Sequence, residues 1–254
     1  MTKKRILLAG ESWVSAASHI KGFDQFASVT FHRGADGFIA ALAHLPFEIV
    51  HMPCHVAATD FPATVEALQE WDAVMLSDIG ANTLLLHPDV WIHSRTFPNR
   101  LKALRDYVAG GGGVAMIGGY LSFQGINGAA RYRGTALEMA LPVSIHPYDD
   151  RIETPEGFTP VVSAPGHALL QGVPATMPPL LGLNEVVAKP GATTLLSAPA
   201  SEGGHPLLVI GEHGAGRTLA WTTDIGPHWL PQSVLDWPGF GTLWGNALGW
   251  LTRR

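Results

Sequence analysis

Apolar residues fall into short runs that alternate with stretches of helical spacing. The run from Arg5 to Ala9 (RILLA) stops at Gly10 and predicts a buried parallel strand. Phe38, Ile39, Leu42 and Leu45 recur at helical spacing and predict a helix within 34–45. Phe47 to Met52 (FEIVHM) predicts a second strand, stopped by Pro53. A helix is expected over 61–71, with Pro62 in its first turn and Val65 and Leu68 inside. Ala73 to Leu76 predicts a third strand and Val114 to Ile117 a fourth. Between them, Leu101, Leu104 and Val108 give 99–109 an amphipathic face that ends in the glycines 110–113.

Strands alternating with helices imply right-handed βαβ units, a parallel sheet and helices on both faces. Ligands of such sheets bind beyond the carboxyl ends of the strands, which singles out residues 10–13, 53–55, 77–82 and 118–124. The second half is broken by proline and glycine into shorter pieces. Leu207 to Trp221, with a turn at 212–217, predicts a hairpin that extends the sheet. Gly239 to Leu251 predicts a closing apolar helix despite its glycines. The chain is expected to form one domain over 1–254, with a β-rich insertion at 139–190.

Composition narrows the partners. The 254 residues are 46% hydrophobic, enough for a substantial core, but only 15% charged. So little surface charge predicts a homo-oligomer. The net charge of −5 carries no basic run, which argues against nucleic acid. No apolar stretch reaches the ~18 residues of a membrane span. The apolar stretch near the start is too short for a secretion signal, so the cytoplasm is the default expectation. A single cysteine, Cys54, excludes an internal disulfide or a cysteine-based zinc site. The twelve histidines form no HExxH pattern, and no metal or cofactor is expected.

Candidate chemistry gathers at the predicted strand ends. Gly118 and Gly119 precede Tyr120 where a strand should turn into a helix, the setting of a nucleophile elbow. A tyrosine with an ordinary pKa near 10 is a poor acyl nucleophile, so Tyr120 suits hydrogen bonding or general acid work, or plain packing at the rim. Ser122 lies two residues on as a weaker polar contact. Asp224 and His228 sit four residues apart after a late strand and can form a proton relay, or cap a turn. Trp229 adjoins them. Asp78, after the third strand, is either a polar anchor or a turn cap. Glu11 and Trp13 follow the first strand and suggest a ligand platform. Cys54 has His55 as its immediate neighbour, and adjacent side chains rarely face each other, so an incidental thiol is the simpler reading. Arg131, Arg133 and Arg151 lie near Tyr148, Asp149 and Asp150, either for an anion or for internal ion pairs. His19, Lys21 and Asp24 form a polar cluster whose placement the pattern leaves open.

Five stretches together carry a family resemblance. They are GESWVSAASHIKGFDQF (10–26), SDIGANTLLL (77–86), GGYLSFQGINGAARYRGT (118–135), YDDRIETPEG (148–157) and TTDIGPHW (222–229). The chain resembles a bacterial family described as glutamine amidotransferases or as cytoplasmic proteins. That family lies within the class I glutamine amidotransferase-like superfamily and is similar to trehalose-utilization proteins. The resemblance implies an α/β, flavodoxin-like fold: an open, mostly parallel sheet with helices on both faces. Working members of the superfamily place a cysteine at the elbow and a later His and Glu. This chain has Tyr120 there, and Asp224 and His228 in another order, which counts against glutamine hydrolysis.

Three functions are therefore open. One is an enzyme or binding protein for a small polar metabolite, a carbohydrate or sugar acid, with Trp13 and Trp229 stacking on a sugar face. Tyr120, Asp224 and His228 would be catalytic, and Glu11, Asp78 and Ser122 would bind. The second is a non-catalytic oligomeric assembly module. The third is a glutaminase using Cys54.

Overall fold

The computed structural model describes residues 3–252, so residues 1–2 and 253–254 of the expected domain lie outside the described residues. In chain order the strands are β1 (Lys4–Gly10), β2 (Ser12–Lys21), β3 (Asp24–Arg33), β4 (Phe47–Met52), β5 (Ala73–Ser77), β6 (Gly113–Ile117) and β7 (Val143–Ile145). They continue with β8 (Arg151–Phe158), β9 (Val161–Val162), β10 (Leu180–Asn184), β11 (Val186–Ala188), β12 (Thr193–Ser197), β13 (Pro206–His213) and β14 (Gly216–Trp221). The helices are α1 (Asp36–Leu42), α2 (Cys54–Asp60), α3 (Val65–Leu68), α4 (Ala81–Leu85), α5 (Pro88–Trp91), α6 (Arg100–Ala109), α7 (Ala136–Ala140), α8 (Gln232–Leu235) and α9 (Gly239–Leu251).

The main sheet runs β4-β1-β5-β6-β14-β13-β12-β9. Its first five strands are parallel, and β13, β12 and β9 extend it antiparallel. Each central strand is buried on both faces, and its side chains divide by the two-residue period of a strand. Ile6 and Leu8 of β1, Met75 of β5 and Ile117 of β6 join the core under α1 and α9. Leu7, Val74, Leu76, Val114 and Met116 join the opposite core, under α2, α4 and α6. This is the expected α/β sheet covered on both faces.

Chain order reverses at β1, which lies between β4 and β5. In open α/β sheets the crevice at such a switch point receives ligand. Segment 139–190 forms two small antiparallel pairs, β8 with β10 and β7 with β11, and adds β9 to the far edge of the main sheet.

Two expectations change. The helix expected over 61–71 is only α3, started by Thr64, whose hydroxyl accepts from the Ala67 N–H. The preceding turn is instead α2, which opens at Cys54. Residues 10–13, whose Glu11 and Trp13 do line the crevice, are not a short loop into the next helix. They lead into a hairpin of β2 and β3, ten residues a side, turning at Gly22 and Phe23. Its strands are rich in serine and alanine, so their alternation is weak.

Candidate functional site

Two acids stand immediately beyond neighbouring strand ends in left-handed backbone: Glu11 after β1 (φ +46°) and Asp78 after β5 (φ +43°). Such positions cost about 1–3 kcal/mol for a residue with a side chain and persist where the surroundings impose them. Here the surroundings are explicit. The Glu11 N–H donates to the Ser77 carbonyl at 2.6 Å, and the Ser77 hydroxyl donates to Glu11 Oε2 at 2.6 Å. A Cβ on Gly34 or Gly226 would stand 2.5 or 2.3 Å from Glu11 Oε1, so those two glycines make room for the carboxyl. The Asp78 N–H donates to Ser122 Oγ at 3.1 Å, and Asp78 Oδ1 accepts from the Leu121 N–H at 2.6 Å.

The third acid, Asp224, follows β14 and is buried. Its Oδ2 lies 3.5 Å from Nδ1 of His228, whose Nε2 lies 3.9 Å from Glu153 Oε2. Tyr120 meets the His228 ring edge-on at 4.0 Å, and the Arg151 guanidinium sits 4.8 Å above the Tyr120 ring. Arg151 is also paired with Asp149 at 2.8 Å. Glu11, Asp78, Asp224, Tyr120 and His228 share a cavity of about 410 Å³ with Trp13, Leu121, Ile126 and Pro227. Its floor is acidic and its walls are mostly apolar.

Segment 139–190 completes the site. Asn184 Oδ1 accepts from the Gly119 N–H at 3.0 Å, and its Nδ2 donates to Gly119 O and to Asp150 Oδ1. Asp150 in turn accepts from the N–H groups of Gln124 and Gly125, both at 2.8 Å. These bonds fix the loop that carries Tyr120.

Electrostatics follow from burial. Loss of water pushes the Glu11 carboxyl well above the ordinary range, and Asp224 and then Asp78 push it further, against the Ser77 bond. Asp224 is raised well above its ordinary value by burial and then by Asp78, against backbone N–H bonds. Asp78 is raised by burial, against the Leu121 N–H and His228. His228 is lowered, by burial first, although Glu153 and Asp78 favour its cation. Burial, then Glu153, raises Tyr120. The cavity thus shifts its carboxyls and its imidazole alike toward their neutral forms, the kind of tuning that general acid–base chemistry uses.

Six of the sequence candidates converge: Glu11, Trp13, Asp78, Tyr120, Asp224 and His228. Two stand behind the cavity. Ser122 is buried with its oxygen committed to the Asp78 amide. Trp229 is fully buried, stacked behind His228 at 4.9 Å, with its Nε1 donating to Glu153 Oε2 at 2.9 Å, so it has no free face for a sugar. The elbow also shifts: the left-handed residue after β6 is Gly119 (φ +137°), while Tyr120 is outside that region. Cys54 is not on the cavity wall. Its thiol donates to the Asp78 carbonyl at 3.8 Å, and burial raises its pKa. Arg131 and Arg133 line a separate depression of about 600 Å³ with Tyr148 and Asp149. Sequence reasoning gave no site role to Glu153, Asp150 or Asn184; the first two lie in the stretch 148–157 that carried the resemblance. Among the described residues, no group of three or more His, Cys, Asp or Glu is arranged to hold a metal ion.

The sequence model of a family described as "Putative glutamine amidotransferase" matches residues 5–253. Among solved structures, a cytoplasmic protein from Salmonella typhimurium is 37% identical with a TM-score of 0.92, covering 98% of this chain and 99% of its own. A second cytoplasmic protein, from Salmonella typhimurium LT2, is 40% identical with a TM-score of 0.92, covering 98% of this chain and 100% of its own. A "thua-like protein" from Parabacteroides merdae shares the fold, with a TM-score of 0.59 at 10% identity, covering 99% of this chain and 90% of its own. No curated protein matches the sequence.

Proposed function

This chain belongs to the glutamine amidotransferase-like family, and from that premise we propose that it binds and transforms a small neutral polyhydroxy metabolite, a carbohydrate, without thiol chemistry. One observation carries the reading: Glu11, Asp78 and Asp224 converge with Tyr120 and His228 around one cavity at the switch point of the sheet. Neutral His228 accepts a proton, oriented by Asp224. A protonated carboxyl or the Tyr120 hydroxyl gives one back. The apolar wall, Trp13 above all, suits the carbon face of a sugar ring. The cavity favours a neutral sugar over a sugar acid, because its lining offers no Lys or Arg to pair with a ligand carboxylate taken out of water.

Glutamine hydrolysis through Cys54 has little support. That thiol is off the cavity wall, burial raises its pKa, and its hydrogen bond goes to the Asp78 carbonyl. We place the protein in the cytoplasm as a homo-oligomer, on the description of its Salmonella relatives and on its low charge. No helix among the described residues is long and apolar enough to cross a membrane.

A thermal-shift panel of neutral sugars, sugar acids and amino acids including glutamine tests the reading. A ligand at 100 times its Kd adds about 2.7 kcal/mol, or roughly 5–10 °C for a domain of this size. The expected result is a shift with neutral sugars that His228→Ala abolishes. A shift with glutamine alone, lost in Cys54→Ala, would return the chain to the glutaminases.

A further inference from the structure

The hairpin of β2 and β3 stands off the body as a separate two-stranded sheet. Its register places Val14 opposite Phe31, Ala16 opposite Val29 and Ser18 opposite Ala27. Opposed residues share a face, so Val14, Ala16, Ile20, Ala27, Val29 and Phe31 lie on one mostly apolar face, whose polar members Ser18 and Gln25 bond each other at 2.6 Å. Only its root is covered, where Phe31 meets His55 edge-on at 5.1 Å. Further out, Val14 is 58% exposed, Val29 71% and Ile20 73%, and Phe23 at the tip is fully exposed. The other face carries charge and polar pairs, such as Ser15 with Thr30 and Lys21 with Asp24, beside Trp13 stacked on His32 and Phe26 stacked on His19.

Exposed strands are normally blunted by charge or proline, and an isolated hairpin is marginal in water. This one has neither charge nor proline from 12 to 20 or from 25 to 32. Both outer edges are unpaired among the described residues.

We infer that this apolar face is buried against a second copy of the chain. The inference rests on the homo-oligomer reading and assigns its surface. An uncharged apolar face is self-complementary, so a two-fold axis can bury it against its own copy. The four larger side chains, each losing on the order of 100 Å², and the two alanines at about half that hide roughly 500 Å² per copy, the larger part of the ~800 Å² per partner of a standard interface. Trp13 stands on the opposite face of the same hairpin, so the hairpin turns one face to the ligand cavity and the other to the second copy.

The test is the mass in solution by light scattering for the wild type, the double variant Ile20→Asp/Val29→Asp and the opposite-face variant Ala17→Asp. The inference expects a dimer, a monomer with an unchanged circular dichroism spectrum, and a dimer. A double variant that remains dimeric overturns the hairpin as the interface and leaves self-association standing. A monomeric wild type overturns both. Hydrogen exchange on the wild type gives a check that needs no variant: amides of 14–31 should lose protection on dilution, and protection independent of concentration contradicts the inference.

Discussion

Replacing Glu11 by Gln should make the protein more stable at and above neutral pH and flatten its pH dependence. An unfolded glutamate titrates near ~4.3, whereas burial and the neighbouring acids hold the folded Glu11 well above that. Between those two values the folded chain keeps a proton that the unfolded chain has released. Stability therefore falls as pH rises through that window, by about 1.4 kcal/mol per pH unit for one proton. Above the folded value the loss is complete and constant. Glutamine keeps an oxygen for the Ser77 hydroxyl and carries no charge, so the loss disappears. It also lifts a negative neighbour from the acid cluster. At about 2–4 °C per kcal/mol for a chain of this length, the wild-type Tm should fall roughly 3–6 °C more per pH unit than that of Glu11→Gln inside the window. Calorimetric unfolding from pH 4 to 9 reads this directly. Parallel curves, or a variant less stable at every pH, would refute the claim that Glu11 is held protonated by burial.

Asn184→Leu should destabilise the fold by about 2–4 kcal/mol, since it leaves the Gly119 amide group and a buried oxygen of Asp150 short of partners; the urea midpoint measures this. Cys54→Ser should leave any ligand-induced shift unchanged. The wild-type thiol should react slowly with a thiol reagent at neutral pH, because burial disfavours its thiolate; rapid labelling of folded protein would contradict that.

The parallel sheet was legible because β1, β4, β5 and β6 are apolar runs bounded by glycine, proline or polar residues. The closing helix α9 and the hairpin of β13 and β14 were legible for similar reasons. The hairpin of β2 and β3 was not, since serine and alanine give little contrast between its faces and no core fixes them. Asp78, Asp224 and His228 could be singled out by their place after strands. Glu11 looked like one of a weak pair with Trp13. Its weight comes from Gly34, Ser77 and Gly226, which are distant in sequence and meet only in the fold. Trp229 misled because an aromatic beside a candidate histidine reads the same whether it faces ligand or core. Asn184 and Asp150 act through backbone amides, whose position no side-chain pattern announces.

The proposed ligand of the acidic cavity is a neutral polyhydroxy molecule. Titration calorimetry of the wild type at pH 7 with a neutral aldose and with its C1 acid tests this most directly. The expected result is measurable binding of the aldose, at least tenfold weaker binding of the acid (about 1.4 kcal/mol), and loss of the aldose signal in His228→Ala. Tighter binding of the acid, or aldose binding untouched by His228→Ala, would contradict it.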